Sequence, residues 1–589
     1  MDSPVSAFAM YKAKNQIKKT TTKRDKKKKK KASISPKPLP QNSNENVIKN
    51  IAHKVKRKQK KVKETKNIIK KKTHKKKKLK VSKKVEESVN IKESNKFKPS
   101  ETEHVPALVP ITSDERFNLQ DNEDDICSNS TEGGVVLTSA LTDSCEEGLK
   151  VFKWMIAPYN VNEFFKNIWE KKPLHIARNK PKYYYDLITT PLIDNMLRNE
   201  NVQFTKNVDV TSYVDGKRET HNPVGRALPH LVWDFYLNGC SVRLLNPQTY
   251  MPKLHLLNAT LQEYFNSFVG ANAYLTPPDS QGFAPHYDDI EAFILQTEGK
   301  KHWRIYKPQT ENDLLPRVSS KNFSEDEIGE PILEVTLEAG DMLYFPRGYI
   351  HQGVTIEGEH SLHVTISMYQ KHSWGDLFER MVPAALQIAI SENVDFRKGL
   401  PFDIYDNFGL VHSDMNTPRK IEIEEMIKNL FYQIKNHLPM DEAVDQMCKK
   451  YQHDALPPVL SDIEKACTVY GDTDVMVENG KVTNRVEIGL DTKIRLLRKN
   501  ILRMVSEDGI RLYYYTENSL EYHGNDLSYL EIEEDLAPAI ETLITTYPNY
   551  VAVENLEAPD DSDKIQIADA LWGRGLIMTE YPLETIFDD

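Results

Sequence analysis

The sequence predicts a protein of mixed α and β structure, with a barrel or jelly-roll core followed by a helical region and a smaller C-terminal domain. From residue 201 to residue 370, short apolar runs alternate with Gly, Pro and Asp turn signals, which is typical of many closely spaced strands. Beyond Trp374 the apolar residues recur at helical spacing, and after residue 473 a strand-turn-strand pattern is mixed with helices. A chain of 589 residues has room for all three parts.

Residues 1–148 are expected to form a disordered tail that is first basic and then acidic. Lysine dominates residues 12–84, with unbroken runs at 26–31 and 75–78, and almost no large apolar residue interrupts them. Such a segment cannot bury a core. It indicates a nuclear or nucleolar address with loose affinity for nucleic acid, and the alternative is a tail that is merely solvated. The acidic stretch 101–147 has the opposite charge and could fold back on the lysines.

The cysteine pattern argues against disulfide frameworks and zinc ribbons. The five cysteines are odd in number, widely spaced and never arranged as CxxC, as expected for a reducing compartment. No apolar run approaches the roughly 18 residues that span a bilayer, and no signal-peptide pattern is present. We therefore expect a soluble protein that is not secreted and has no membrane partner.

The first folded domain is expected at 149–370. Residues 162–169 have helical spacing, Pro173 ends that helix, and a short strand follows it. Further strands are predicted at 241–245, 303–306 and 342–345. Residues 363–368 alternate polar and apolar side chains, so their polar face could line a pocket inside the barrel.

The helical region is expected at 371–472. Thr417 and Pro418 form a good N-cap and first-turn pair. After them Ile423, Met426, Ile427, Leu430 and Ile434 form one apolar stripe. Two more helices are predicted at 381–390 and 441–451. The stripe indicates either internal packing or a helical dimer interface.

The C-terminal domain, expected at 473–589, has the pattern of a winged helix. Strands are predicted at 494–504 and 510–515 across a turn at 507–509, with helices at 530–546 and 564–572. The last helix contains Asp569 and follows Asp563, so it carries the wrong charge for a DNA groove. The sequence therefore favours a protein-contact module here.

A candidate metal site begins at His286 and Asp288. On an extended strand these two side chains would point to the same face. The pattern by itself is weak, because His412 and Asp414 form a second His-x-Asp pair in the same chain. The context distinguishes the two pairs, since only the first is followed by strands, an inward-facing lysine and a later histidine framed by turns. We interpret His412 as a surface residue.

Lys301 and His351 complete this context. Lys301 shares a strand face with Trp303 and Ile305, so its ammonium is expected inside, where it needs an anionic partner. His351 follows a turn and could face a cavity. Two histidines and one carboxylate are the ligand set of non-haem Fe(II) oxygenases. Zinc is an alternative, and so is a set of core histidines that bind no metal.

Four stretches resemble the JmjC-domain 2-oxoglutarate oxygenases, and within them the ribosomal oxygenases, which are also described as bifunctional lysine demethylases and histidyl hydroxylases. These stretches are 286–293 (HYDDIEAF), 298–303 (EGKKHW), 346–351 (PRGYIH) and 169–174 (WEKKPL). The resemblance covers essentially residues 150–589. It implies a double-stranded β-helix core, a helical dimerisation domain that makes a homodimer, and a winged-helix-like C-terminal domain.

The resemblance also implies roles for individual residues. His286, Asp288 and His351 would be the catalytic Fe(II) ligands, and Lys301 would pair with the distal carboxylate of 2-oxoglutarate, with Asn272 nearby. Further positions matching the surroundings of the substrate or cosubstrate are Arg243, Tyr274 and Ser367. Tyr287, between the first two ligands, is expected to point away from the metal.

The implied chemistry is oxidative decarboxylation of 2-oxoglutarate by O₂, which yields succinate, CO₂ and an oxidant for a substrate C–H bond. One hypothesis is hydroxylation of a histidine in a ribosomal protein. A second is demethylation of methyl-lysines in histone H3, with transcriptional repression as the outcome. A third hypothesis, a non-catalytic chromatin or ribosome-assembly scaffold, would require a broken metal site, and none of the ligands is missing.

Overall fold

The computed structural model describes most of the chain beyond residue 141. The described residues are 142–471, 477–478, 480–482, 485–521 and 526–584. The predicted basic segment and nearly all of the acidic stretch lie outside them. Within the described part, no helix combines the length and the apolar character needed to cross a membrane.

Two helices begin the described chain. They are α1 (Ser144–Ile156) and α2 (Val161–Asn167). The Asp143 side chain caps α1 by accepting hydrogen bonds from two backbone N–H groups of its first turn. Phe152 is fully buried and packs edge-on against Phe164, with 5.6 Å between the ring centroids. The first described helix thus begins at Ser144, slightly before the expected boundary at residue 149.

The main sheet has ten antiparallel strands arranged as a double-stranded β-helix. They are β1 (Leu174–Ile176), β2 (Val208–Val214), β3 (Lys217–Thr220), β4 (Ser241–Leu245), β5 (Gly270–Thr276), β6 (Glu291–Tyr306), β7 (Leu333–Glu338), β8 (Met342–Phe345), β9 (Ile350–Thr355) and β10 (Ser361–Met368). The first half of β6 pairs with β8 and β10, and its second half pairs with β7 and β9. One long strand therefore joins two layers of the roll, which confirms the predicted architecture.

Three further helices surround this sheet. They are α3 (Thr190–Asn199), α4 (Pro229–Leu237) and α5 (Pro252–Phe265). Leu254, Leu257 and Leu261 recur at helical spacing along α5 and are fully buried in the largest hydrophobic cluster. That cluster fills the space between the helices and the outer face of the sheet, so the inner face remains available for a site.

A bulge in β6 decides which side chains face the inside of the roll. Pairing with β10 skips Thr297, which is the extra residue of the bulge. A skipped residue reverses the alternation of side chains along a strand. As a result Ala292 and Ile294 from the first half share one buried cluster with Trp303 from the second half. Lys301 has the same parity as Trp303 and faces the same interior, as predicted.

The helical region follows the sheet. It contains α6 (Trp374–Glu392), α7 (Ile404–Asn407), α8 (Pro418–Ile434) and α9 (Met440–Asp454). α6 begins earlier than predicted because Ser373 forms a capping box at its start. Thr417 caps α8, as predicted. In the apolar stripe of α8, Ile423 is buried, whereas Met426 and Ile427 are 46% and 49% exposed. Internal packing therefore does not account for the whole stripe.

The C-terminal part contains short strands and helices. They are α10 (Asp462–Ala466), β11 (Val477–Glu478), β12 (Lys481–Val482), β13 (Lys493–Leu496), β14 (Leu502–Ser506), β15 (Ile510–Tyr514), β16 (Tyr529–Ile532), α11 (Ala537–Thr546), β17 (Val551–Ala552), α12 (Asp561–Trp572) and β18 (Ile577–Thr579). β14, β15 and β16 form one sheet, and β17, β13 and β18 form another. The predicted hairpin is present as β14 and β15.

Two predicted elements of this part are wrong. The strand predicted at 494–504 is two strands in different sheets, because the chain turns between them where buried Arg498 pairs with Glu464 at 2.6 Å. The helix predicted at 530–546 starts as β16. The chain then forms a 3₁₀ turn at Glu534–Leu536 and becomes α-helical at Ala537, next to Pro538 in the first turn.

Candidate active site

A cavity of about 420 Å³ lies inside the roll, and all the predicted site residues line it. They are Arg243, Asn272, Tyr274, His286, Asp288, Lys301, His351 and Ser367. Five strands (β4, β5, β6, β9 and β10) and the loop before β6 contribute them. Residues more than a hundred positions apart in the chain are therefore brought together by the closure of the roll.

The His-x-Asp pair lies in a loop, which corrects the expected extended strand. β6 starts only at Glu291, and His286 forms an isolated bridge with His351. Each of the two histidines donates its backbone N–H to the backbone carbonyl of the other, at 3.3 and 2.9 Å. The backbone of Asp288 is also fixed, since its carbonyl accepts from Gly348 N–H at 3.1 Å. Backbone bonds across the roll thus hold the two ligand segments together.

The three ligand side chains converge on one point. Oxygens of Asp288 lie 3.8 Å from His286 Nε2 and 3.8 Å from His351 Nε2. The three ligand atoms all lie within 4.8 Å of one another, as a group able to hold a metal ion. Tyr287 points away, and its ring packs near Phe323 with 6.0 Å between centroids, as expected.

Hydrogen bonds at Nδ1 orient both imidazole rings as metal ligands. His286 Nδ1 is 2.8 Å from the Ala284 carbonyl, and His351 Nδ1 is 3.2 Å from the Tyr349 carbonyl. Carbonyls only accept, so Nδ1 carries the proton and Nε2 presents its lone pair to the cluster. Burial, with His286 nearby, lowers the pKa of His351, so its ring is neutral near pH 7. Two imidazoles and a carboxylate fit Fe(II), as predicted.

A buried ion cluster behind the ligands was not predicted from the sequence. Arg347 Nη1 donates to Glu291 at 2.7 Å and pairs with Glu170 at 2.6 Å. Tyr344 donates to the other oxygen of Glu291 at 2.5 Å. Glu291 follows the Asp288 loop and Arg347 precedes the His351 strand, so this cluster joins the two segments that carry the ligands. Burial raises the pKa of Glu291 to about 7, against the opposing effect of Arg347.

Lys301 lies deep in the cavity without a carboxylate partner among the described residues. Only 5% of it is exposed, and its Nζ donates to Thr276 Oγ1 at 3.1 Å. Burial lowers its pKa to about 7. Gly353 permits this placement, because a Cβ there would lie 3.0 Å from the Lys301 Cε and 3.2 Å from the Trp303 ring. An ammonium in such a site is ready to receive an anion.

The predicted polar face of β10 lines the cavity. His363, Thr365 and Ser367 alternate with buried apolar residues and all face inward. His363 stacks on Tyr274 at 4.9 Å, and its buried Nδ1 has no hydrogen-bond partner among the described residues. Burial, followed by the charge of Lys301, lowers its pKa well below the usual value. His363 was not singled out in the sequence, although the alternation of β10 contained the signal.

The second His-x-Asp pair lies outside the cavity. His412 ends a short 3₁₀ helix, and its Nδ1 is 3.3 Å from Met415 Sδ. Asp414 is exposed. Among the described residues only the His286 pair belongs to a group of possible metal ligands, which agrees with the interpretation of His412.

Comparison with known proteins gives independent evidence. A JmjC domain model matches residues 243–377, and the model of the ribosomal oxygenase 1 C-terminal winged-helix domain matches residues 456–583. Ribosomal oxygenase 1 of Gallus gallus is 47% identical over 444 residues, which cover 75% of this chain and 74% of that protein. The chain belongs to the ribosomal oxygenase family of JmjC proteins.

The chain is also similar to a second curated relative and, more distantly, to solved structures. The bifunctional lysine-specific demethylase and histidyl-hydroxylase NO66 of Culex quinquefasciatus is 52% identical, with 75% of this chain and 68% of that protein covered. A solved structure of Escherichia coli YcfD, a ribosomal oxygenase in complex with cobalt and 2-oxoglutarate, covers 72% of this chain and 99% of its own, with 16% identity and a TM-score of 0.36.

Family and geometry together identify the class of enzyme. The chain is a 2-oxoglutarate-dependent oxygenase whose cofactor is Fe(II). The winged-helix match begins at residue 456, seventeen residues before the expected domain boundary at 473. The predicted winged-helix resemblance is confirmed.

Proposed function

We propose that this oxygenase hydroxylates a histidine of a ribosomal protein. The observation that supports this most is the joint geometry of the cavity, where the three ligands and the buried Lys301 face one space. Relatives of high identity are named as histidyl hydroxylases and ribosomal oxygenases. Bound Fe(II), with 2-oxoglutarate and O₂, supplies the chemistry that converts a substrate C–H into C–OH and yields succinate and CO₂.

The chain's own residues bind and orient the reactants. His286, Asp288 and His351 would hold the iron through two imidazole Nε2 atoms and one carboxylate. Lys301 would pair with the distal carboxylate of 2-oxoglutarate, with Asn272 close to it. Both positions lie on the inner face of the roll.

Three further residues of the cavity would orient the substrate. Arg243 is held by an ion pair with Asp209, and Tyr274 stacks on His363. Ser367 lies on the adjoining strand β10. We propose that these groups contact the target side chain and the peptide that carries it.

Demethylation of methyl-lysines in histone H3, with transcriptional repression, is the second candidate. It is supported by the printed name of the relatives, which includes lysine-specific demethylase. Hydroxylation of an N-methyl carbon in the same way would give a hemiaminal, which releases formaldehyde. The scaffold hypothesis is not supported, because all three possible metal ligands are present and close together.

The cellular setting is also a proposal. The lysine runs at 26–31 and 75–78 support a nuclear, nucleolar location and loose contact with nucleic acid. The exposed apolar face of α8 supports a homodimer built through the helical region.

Replacing one ligand tests the proposed hydroxylation. His351→Ala is expected to abolish hydroxylation of ribosomal-protein peptides, because two ligands cannot retain the iron at working concentrations. Mass spectrometry of the peptide measures the gain of one oxygen. His412→Ala removes the histidine of the other His-x-Asp pair and should leave the activity unchanged. If wild-type protein adds no oxygen to any ribosomal-protein peptide, the proposed function is wrong.

A further inference from the structure

Arg218 on β3 lines the cavity but was not among the predicted site residues. Its guanidinium carbon lies 4.5 Å from the centroid of the Phe283 ring, and that of Arg243 lies 5.5 Å from the same centroid. Phe283 is only three residues before His286. Its position is fixed, because Gly282 packs so tightly that a Cβ there would lie 2.4 Å from Ser241. Two cations therefore share one ring near the metal ligands.

The two arginines differ in their partners. Arg243 is paired with Asp209, and that carboxylate also accepts from Asn222 at 2.6 Å. Arg218 has no hydrogen bond or ion pair to any described residue, and its Nε is buried without a partner. Asp289, another carboxylate of the cavity, already accepts from Ser319 at 2.6 Å and from Gln370 at 3.1 Å. The guanidinium groups of Arg218 and Arg243 thus share one nearby carboxylate, Asp209, and that carboxylate is bonded to Arg243.

The aromatic rings of the cavity that could bind a methylated ammonium already contact other side chains. Such a cation is usually held over aromatic faces. In the described cavity, Phe283 carries the two guanidinium groups, and Trp303 has the Lys301 Nζ at 5.5 Å. Tyr274 stacks on His363, and the Phe345 ring packs against the His351 ring with 4.5 Å between centroids. No free aromatic cage is therefore present in this part of the structure. A cationic target side chain would instead meet the guanidinium of Arg218.

We infer that Arg218 is a specificity-determining residue that disfavours cationic target side chains and favours a neutral one such as imidazole. Its unpaired N–H groups are available to carbonyl oxygens of the substrate peptide. Like charges placed together in an interface are strongly unfavourable, which gives the discrimination its physical basis. The inference rests on the proposed hydroxylation, because it deepens the choice of substrate at the same site.

Peptide binding tests this assignment independently of turnover. Two synthetic peptides from a ribosomal protein, identical except for histidine or trimethyl-lysine at the target position, are titrated into the protein with Fe(II) and 2-oxoglutarate under anaerobic conditions. The wild type is expected to bind the histidine peptide more tightly. Arg218→Gln should reduce that preference by about tenfold, the ratio that a lost like-charge contact of about 1.4 kcal/mol gives. Lys217→Gln, one residue away on the exposed face, is the control of equal charge change and should keep the preference.

A salt titration of the wild type supplies a second measurement that needs no variant. Higher ionic strength should reduce the preference for the histidine peptide over the trimethyl-lysine peptide. The reason is that salt screens the repulsion between Arg218 and the trimethyl-ammonium group. Equal binding of both peptides by the wild type, or an unchanged preference in Arg218→Gln, would overturn the assignment. A missing oxygen gain on the histidine peptide would instead count against the proposed hydroxylation, so the two failures are distinguishable.

Discussion

At the residue scale, Lys301 shows how burial prepares a binding group. The side chain is placed inside the roll by its strand parity, and its only described polar contact is Thr276 Oγ1. Burial without an anion lowers its pKa to about 7. A bound carboxylate would favour the charged form and raise that pKa again, so anion binding and protonation are linked.

The affinity for 2-oxoglutarate should therefore depend on pH. Above a pH of about 7 the ammonium of the empty site loses its proton, so the KM for 2-oxoglutarate should rise with pH, by up to about tenfold per unit. Steady-state kinetics across this range measures the effect. Lys301→Arg keeps its charge and should remove the slope, whereas Lys301→Met should raise KM at every pH. A pH-independent KM in the wild type would contradict this account.

At the scale of elements, β6 and the turn before β9 form the support of the metal ligands. The bulge at Thr297 turns the second half of β6 inward, and the pair of Glu291 with Arg347 joins the start of β6 to that turn. Glu291 is fully buried and Arg347 is 7% exposed. Removing one member of such a pair leaves a buried charge without a partner.

Arg347→Met is expected to lower the free energy of unfolding by about 3–5 kcal/mol, because the Glu291 carboxylate is left unpaired. Urea denaturation of the protein measures this loss, and Fe(II) titration should show weaker metal binding. The control is Arg304→Met, which breaks an exposed pair between Arg304 on β6 and Glu334 on β7. It should cost no more than about 1 kcal/mol. Equal effects of the two variants would show that the buried cluster does not support the site.

At the scale of the whole molecule, the helical region presents apolar side chains that the described chain leaves uncovered. Phe431 and Tyr432 of α8 are 67% and 68% exposed, and Phe402 and Tyr405 before it are also exposed. Several large apolar side chains exposed in one helical region indicate an interaction site. It is the physical basis for the proposed homodimer.

Phe431→Asp is expected to convert the proposed dimer to a monomer, because a charge would have to be buried at the interface. Light scattering coupled to size-exclusion chromatography measures the mass. Glu422→Lys changes a charge at an exposed position on the opposite face of the same helix and should leave the dimer intact. A wild-type protein that is monomeric at high concentration would contradict the proposal.

Several features follow from the sequence because they depend on neighbours in the chain. The jelly-roll class follows from closely spaced turns and short strands, and the start of α8 follows from Thr417 and Pro418. The inward direction of Lys301 follows from its alternation with Trp303. Such properties depend on residues close together in the chain, so the residue pattern and spacing were sufficient to predict them. Ligand roles followed from resemblance to a family, which periodicity alone does not supply.

Only the tertiary structure decided features that depend on contacts between distant segments. The bridge between His286 and His351 places the first ligand in a loop instead of a strand. The turn at Arg498 divides residues 494–504, which the sequence pattern predicted as one strand. The position of Arg218 beside Arg243 on one aromatic ring is visible only when the position of Phe283 is known. The amino-acid sequence determines which side chains are present. Closure of the roll determines which of them come into contact and which remain unpaired.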